Sequence, residues 1–109
     1  MKDDRIYLEH IRDAILQIAS YTTTGREAFF RERLIQDAVL RNLEIIGEAV
    51  KNLSMKTRAG RPEIEWGKIA GMRDVLVHDY FGVDLVIVWD AVENRLPKLK
   101  QAVESLMQT

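Results

Sequence analysis

Three side chains in one short run, Arg73-Asp-Val-Leu-Val-His78-Asp-Tyr80, have the types and spacing that could do chemistry. A guanidinium keeps its charge at any working pH and grips anions through a planar fork. An imidazole gives and takes a proton near neutrality. A phenol supplies a hydroxyl on an otherwise apolar ring. Read singly, each has a plainer explanation: a paired arginine, an interior or capping histidine, a core aromatic with its hydroxyl at the surface. Together they suggest a site that binds an anion and moves a proton.

The run falls in a stretch from about Trp66 to Phe81 whose pattern reads as a helix. Trp66, Ile69, Ala70, Leu76 and Val77 share an arc, with Arg73 and Tyr80 inside it, so Arg73 requires an anionic or polar partner. A second face carries Gly67, Gly71, Asp74 and His78, where two missing side chains predict tight packing. In an ideal helix Arg73 and His78 diverge by roughly 140°, too far to grip one phosphate unaided. Either the helix ends early or two chains combine. The five apolar residues Leu85 to Trp89 favour a homodimer with its seam near that region and the glycine face. The plainer alternative is a helix buried more completely within one chain.

The elements that must position these residues are all helical. A first helix over Ile6 to Tyr21 turns Tyr7, Leu8, Ile11, Ala14, Ile15, Ile18 and Ala19 to one side. Thr24 and Glu27 match a capping box for a short second helix bearing Phe29 and Phe30. The third, about Arg33 to Met55, directs Ile35, Val39, Leu43, Ile46, Val50 and Leu53 inward and Asp37, Arg41, Glu44, Glu48 and Lys51 outward. Lys56 to Glu65 reads as a loop. After the helix with the motif, Gly82 fits a stop and Asp84 a cap. The last helix shows a stripe from Leu85 to Leu106, which Pro97 should kink. The expected architecture is an all-α, up-and-down bundle of four or five helices, forming a single domain over residues 1–109.

Bulk properties narrow the function classes. The 109 residues are 47% hydrophobic and 30% charged, the mixture of a folded chain. A net charge of −1 disfavours coating of nucleic acid by bulk electrostatics, so any such contact is local. Lys51, Lys56, Arg58 and Arg61, in an eleven-residue stretch without an acid, are candidates for RNA contact or else line a solvated linker. Two histidines and no cysteine offer no zinc spacing, and the expectation is neither metal nor cofactor. The charged start, Met1 to Arg5, and the lack of a long apolar run point to the cytoplasm and away from membranes.

The pattern Arg, four residues, His, one residue, Tyr resembles the signature of the HEPN superfamily, and within it the HepT-like toxins. The likeness extends over Arg41-Asn-Leu-Glu-Ile-Ile-Gly-Glu-Ala49, Trp66, the start Val83-Asp-Leu and Leu96-Pro97, most of the chain. The resemblance implies a metal-independent endoribonuclease toxin with Arg73 and His78 catalytic at a dimer interface. It implies a minimal nucleotidyltransferase as antitoxin, which neutralises the toxin by transferring AMP onto Tyr80. Asp74 and Asp79 either orient the imidazole or are solvated, and Asn42 either joins the site network or is a satisfied core amide. A second function class stays open, a noncatalytic helical module that docks the nucleotidyltransferase.

Overall fold

The computed structural model describes residues 4–108; the expectations placed on Met1 to Asp3 lie outside them. All regular elements are helical: α1 (Asp4–Tyr21), α2 (Arg26–Arg31), α3 (Arg33–Asn52), α4 (Met55–Ala59), α5 (Trp66–His78), α6 (Leu85–Asp90) and α7 (Leu96–Met107). Among the described residues no helix is long and apolar enough to cross a membrane. The apolar positions that recur every three or four residues become the core. Leu8, Ile11 and Ile18 of α1 close against Val39, Leu43, Ile46 and Val50 of α3, and Leu99 and Val103 of α7 complete the layer. Phe29 of α2 lies 5.2 Å from both Phe30 and Trp89, ring centre to ring centre.

Contacts far apart in sequence fix the directions of the helices. Ser54, just past α3, donates to Asp4 at the start of α1 at 2.5 Å, and Arg5 donates to the Met107 carbonyl at the end of α7 at 2.9 Å. On the other side of α3, Lys51 meets Asp74 while Asp37 meets Tyr80. The pairs α1–α3, α1–α7 and α3–α5 are therefore all antiparallel. As expected, the bundle runs up and down, with α3 between α1 and α5.

Several element ends differ from the sequence reading. The hydroxyls of Thr22 and Thr23 turn back onto the carbonyls of Ile18 and Ser20, so these threonines finish α1. The cap of α2 is Gly25, at φ +93°, which offers no side-chain acceptor; the Thr24 and Glu27 capping box is not used. Helix α3 stops at Asn52 because Leu53 turns extended and buries its side chain. Ser54 then caps α4 by accepting from the Thr57 amide at 3.2 Å, so the presumed loop opens with a helical turn. Asp84 caps α6 through the Val86 amide at 2.9 Å, as expected. Just before Pro97 the helix widens into a π-helical turn over Ala91–Arg95, which accommodates a ring with no N–H to donate.

Helices α3 and α5 approach most closely at Gly47. A Cβ added there would run into the Cβ of Arg73 and lie 3.2 Å from the Ile69 carbonyl oxygen. Gly67 and Gly71, expected to be packed, have nothing within 4 Å of such a Cβ. Replacing Gly47 with alanine should cost roughly 1–3 kcal/mol through overpacking. Gly67→Ala and Gly71→Ala, in open helical positions, should be neutral or stabilise by about 0.5–1 kcal/mol. Urea unfolding of the three variants at low protein concentration checks this, and a Gly47→Ala chain as stable as the parent would refute the close crossing.

Candidate active site

The crossing at Gly47 sets where Arg73 points. Its Nε lies 3.0 Å from Glu48 Oε1 in an ion pair and its Nη1 donates to Asp74 Oδ1 at 3.2 Å, while Lys51 Nζ reaches the same Asp74 oxygen at 3.3 Å. The anionic partner demanded by Arg73 is thus Glu48, one residue from the glycine. The sequence places Glu48 correctly on the outer face of α3 but does not show that α5 crosses there. Arg73 is 29% exposed and Glu48 54%, so the pair is worth only about 0.2–1 kcal/mol. Its consequence is orientation: one edge of the guanidinium is held and other N–H groups stay available. Hydrogen bonds from Arg73 and then Lys51 hold the Asp74 carboxyl below the usual carboxylate range.

Helix α5 ends at His78 and not at Phe81, because Asp79 leaves helical geometry at φ −144°, ψ 56°. Tyr80–Gly82 then form one 3-10 turn. Gly82 is not a left-handed stop, since Gly25 alone among the described residues has positive φ. Gly82 leaves room instead for the Asp79 carboxylate, which an added Cβ would strike. His78 sits exposed at the helix end, and neither Asp74 nor Asp79 hydrogen-bonds to it.

The turn carries Tyr80 back over α3, where its hydroxyl donates a short hydrogen bond to Asp37. Asp37 also faces Arg33 at 3.5 Å. The hydrogen bond to Asp37 and then burial push the phenol pKa above its ordinary 10.0, because ionisation would set a phenolate beside a carboxylate. Asp37 was legible only as an outward residue of α3; its pairing with Tyr80 depends on the turn that ends α5. Asn42 donates to the Ala38 carbonyl of its own helix at 2.9 Å, the satisfied-amide alternative.

Beside the motif the surface is apolar and uncovered. Val75 is 54% exposed, Phe81 89%, Val86 58% and Ile87 61%. Val77, expected in the core arc, is exposed as well. Two of the five residues from Leu85 to Trp89, Val86 and Ile87, are therefore exposed within one chain, as the sequence pattern suggested. The basic stretch is less free than its composition implied. Arg58 donates to the Val50 carbonyl at 2.7 Å and Arg61 to Glu63 at 2.7 Å, leaving Lys51 and Lys56 as its exposed members, with Lys51 paired to Asp74.

A cleft of ≈ 360 Å³ runs over α3 between α1 and α5. Its floor includes Arg41, Glu44 and Glu48, one wall is Tyr7 and His10, and Arg73 forms the other. His10 reads as a surface residue in the sequence and is exposed, yet it shares this space with Arg73. Only the placement of α1 and α5 on either side of α3 reveals that. Among the described residues, no three His, Cys, Asp or Glu side chains gather as metal ligands would.

Residues 11–106 match the family described as ribonuclease HepT-like. The chain is 46% identical over 108 residues to a Methanocaldococcus jannaschii protein named for a gamma-glutamylcyclotransferase and a candidate RNase, covering 98% of this chain and 49% of that one. It thus spans about half the length of that relative. A candidate RNase of Caldanaerobacter subterraneus subsp. tengcongensis is 40% identical over 109 residues, with 99% and 97% covered. The probable ribonuclease HepT of Thermococcus cleftensis is 45% identical over 101 residues, with 92% of each chain covered. No solved structure matches the chain. With nearly the whole length aligned to relatives of that kind, the chain belongs to the ribonuclease HepT-like family.

Proposed function

We propose that this member of the family is a metal-independent endoribonuclease whose site forms between two copies of the chain, Arg73 from one and His78 from the other. One observation carries the reading. Within a protomer Arg73 is drawn toward Glu48 on α3, whereas His78 stands at the exposed end of α5, beside the uncovered Val75 and Phe81 and the open Gly71. A second copy laid on that face would cover the apolar side chains and bring its own arginine toward the imidazole. By symmetry it would do so twice.

The chemistry then follows from the groups available. Imidazole takes the proton of a ribose 2′-hydroxyl, the freed oxygen attacks the adjacent phosphorus, and the guanidinium holds the charge building on the phosphorane oxygens. The bond to the 5′ oxygen breaks as that oxygen receives a proton, which the imidazolium formed in the first step returns through solvent. The products are a 2′,3′-cyclic phosphate and a 5′-hydroxyl end.

The resemblance further supports a toxin and antitoxin pair, in which a nucleotidyltransferase adds AMP to Tyr80. The Asp37 contact gives that step a physical meaning. The phenol oxygen bonds the α-phosphorus of ATP as pyrophosphate leaves and the phenol proton is lost, which ends the hydrogen bond to Asp37 and leaves a phosphodiester anion close to that carboxylate. Like-charge repulsion would loosen the turn directly after His78. The alternative, a module that only docks the nucleotidyltransferase, would keep Tyr80 as acceptor without RNA cleavage.

Arg73→Ala should lower the rate of cleavage of single-stranded RNA roughly 10²–10³-fold, and His78→Ala roughly 10²–10⁴-fold, in buffer containing EDTA. Undiminished cleavage by either purified variant rules out its assignment. Tyr80 supplies a pH prediction. Its folded pKa is raised, so the contribution of the Tyr80–Asp37 pair is complete below the ordinary phenol pKa of 10.0 and disappears as pH climbs through the folded value. Asp37→Asn should bring the Tyr80 titration, read by NMR against Tyr80→Phe, back down toward 10.0. An unmoved titration would show that the carboxylate is not the cause.

A further inference from the structure

We propose that the cleft over α3 is a subsite for one nucleotide of single-stranded RNA, adjoining the scissile phosphate at Arg73. The inference rests on the ribonuclease reading and on Arg73, and adds residues that neither the motif nor the family assigns. The volume, ≈ 360 Å³, lies at the lower end of the roughly 300–1,000 Å³ of small-molecule sites. It suits one unpaired nucleotide and excludes a duplex, whose bases stay stacked.

The lining is arranged as a nucleotide requires. Tyr7 and His10, one helical turn apart on α1, stand edge to face with ring centres 6.1 Å apart, an aromatic corner for a base. Opposite them Arg73 marks the phosphate end, and Arg41 offers a second guanidinium from the floor. Two carboxylates sit between. Glu44 lies 3.6 Å from Arg41 and Glu48 3.0 Å from Arg73, so each arginine has a carboxylate beside it. Carboxylates repel phosphate but accept hydrogen bonds from hydroxyls and exocyclic amines. This favours a ribose, with its 2′-hydroxyl, at the floor and the phosphates at the rim. DNA would lack that donor.

The test is steady-state cleavage of a short single-stranded RNA carrying a fluorophore and a quencher, using the full chain. Tyr7→Ala should raise KM roughly five- to a hundredfold, the range that losing a base-stacking partner produces, with kcat changed far less. Tyr7→Phe should stay near the parent, and His10→Ala should raise KM as well. If Tyr7→Ala and His10→Ala keep the parental KM while Arg73→Ala is inactive, the subsite is wrong and the ribonuclease reading survives. If Arg73→Ala also cleaves normally, both fall.

Crosslinking gives an answer that does not depend on the variants folding. The unaltered chain, irradiated with 4-thiouridine-substituted RNA before turnover, should carry RNA on the tryptic peptide Ile6–Arg12, which contains both aromatic residues. Adducts confined to peptides outside the cleft would overturn the proposal.

Discussion

The close passage of α5 over α3 at Gly47 is the constraint on which the site depends. Only a residue without a side chain lets the Cβ of Arg73 come so near the α3 backbone, and that contact fixes both the height and the rotation of α5. Arg73 then finds Glu48 beside it, the helix runs on to His78, and the turn beyond returns Tyr80 to Asp37. None of these contacts is strong by itself. Surface ion pairs contribute a fraction of a kcal/mol to about 1, so they aim side chains whose position the packing has already set.

The architecture follows largely from periodicity. Residues such as Ile11, Val39, Val50 and Val103 are buried where their spacing predicts, because an amphipathic helix in a small bundle has one place to hide its apolar stripe. Antiparallel neighbours follow from short connections. What periodicity does not encode is which glycine serves a crossing. Gly67 and Gly71 form a regular pair along α5 and invite a packing explanation, yet they face open space, whereas the isolated Gly47 carries the contact. Distinguishing them needs the partner helix, a tertiary fact.

The site divides the same way. Arg73, His78 and Tyr80 stand out because their types and spacing are themselves the signal. Asp37, Glu48 and His10 do not, since each is an ordinary polar residue on an outer helix face. They acquire meaning only when α1, α3 and α5 lie side by side. An early end of α5 is one alternative the sequence offers, but its place is not legible: nothing in Val77-His78-Asp79-Tyr80 opposes another helical turn as plainly as the φ of −144° that Asp79 adopts. As a result the exposed imidazole and the tethered phenol lie on opposite sides of that break.

On the proposed reading one chain presents half of a site twice over: an arginine turned toward Glu48 and away from His78, and His78 exposed near the uncovered Val75 and Phe81. The most direct measurement mixes two inactive proteins. Equal amounts of Arg73→Ala and His78→Ala chains, unfolded and refolded together, should regain about a quarter of parental RNA cleavage, since half the dimers are mixed and each mixed dimer keeps one intact pair. A mixture no more active than its separate components, though dimeric, would contradict assembly of the site across the two chains.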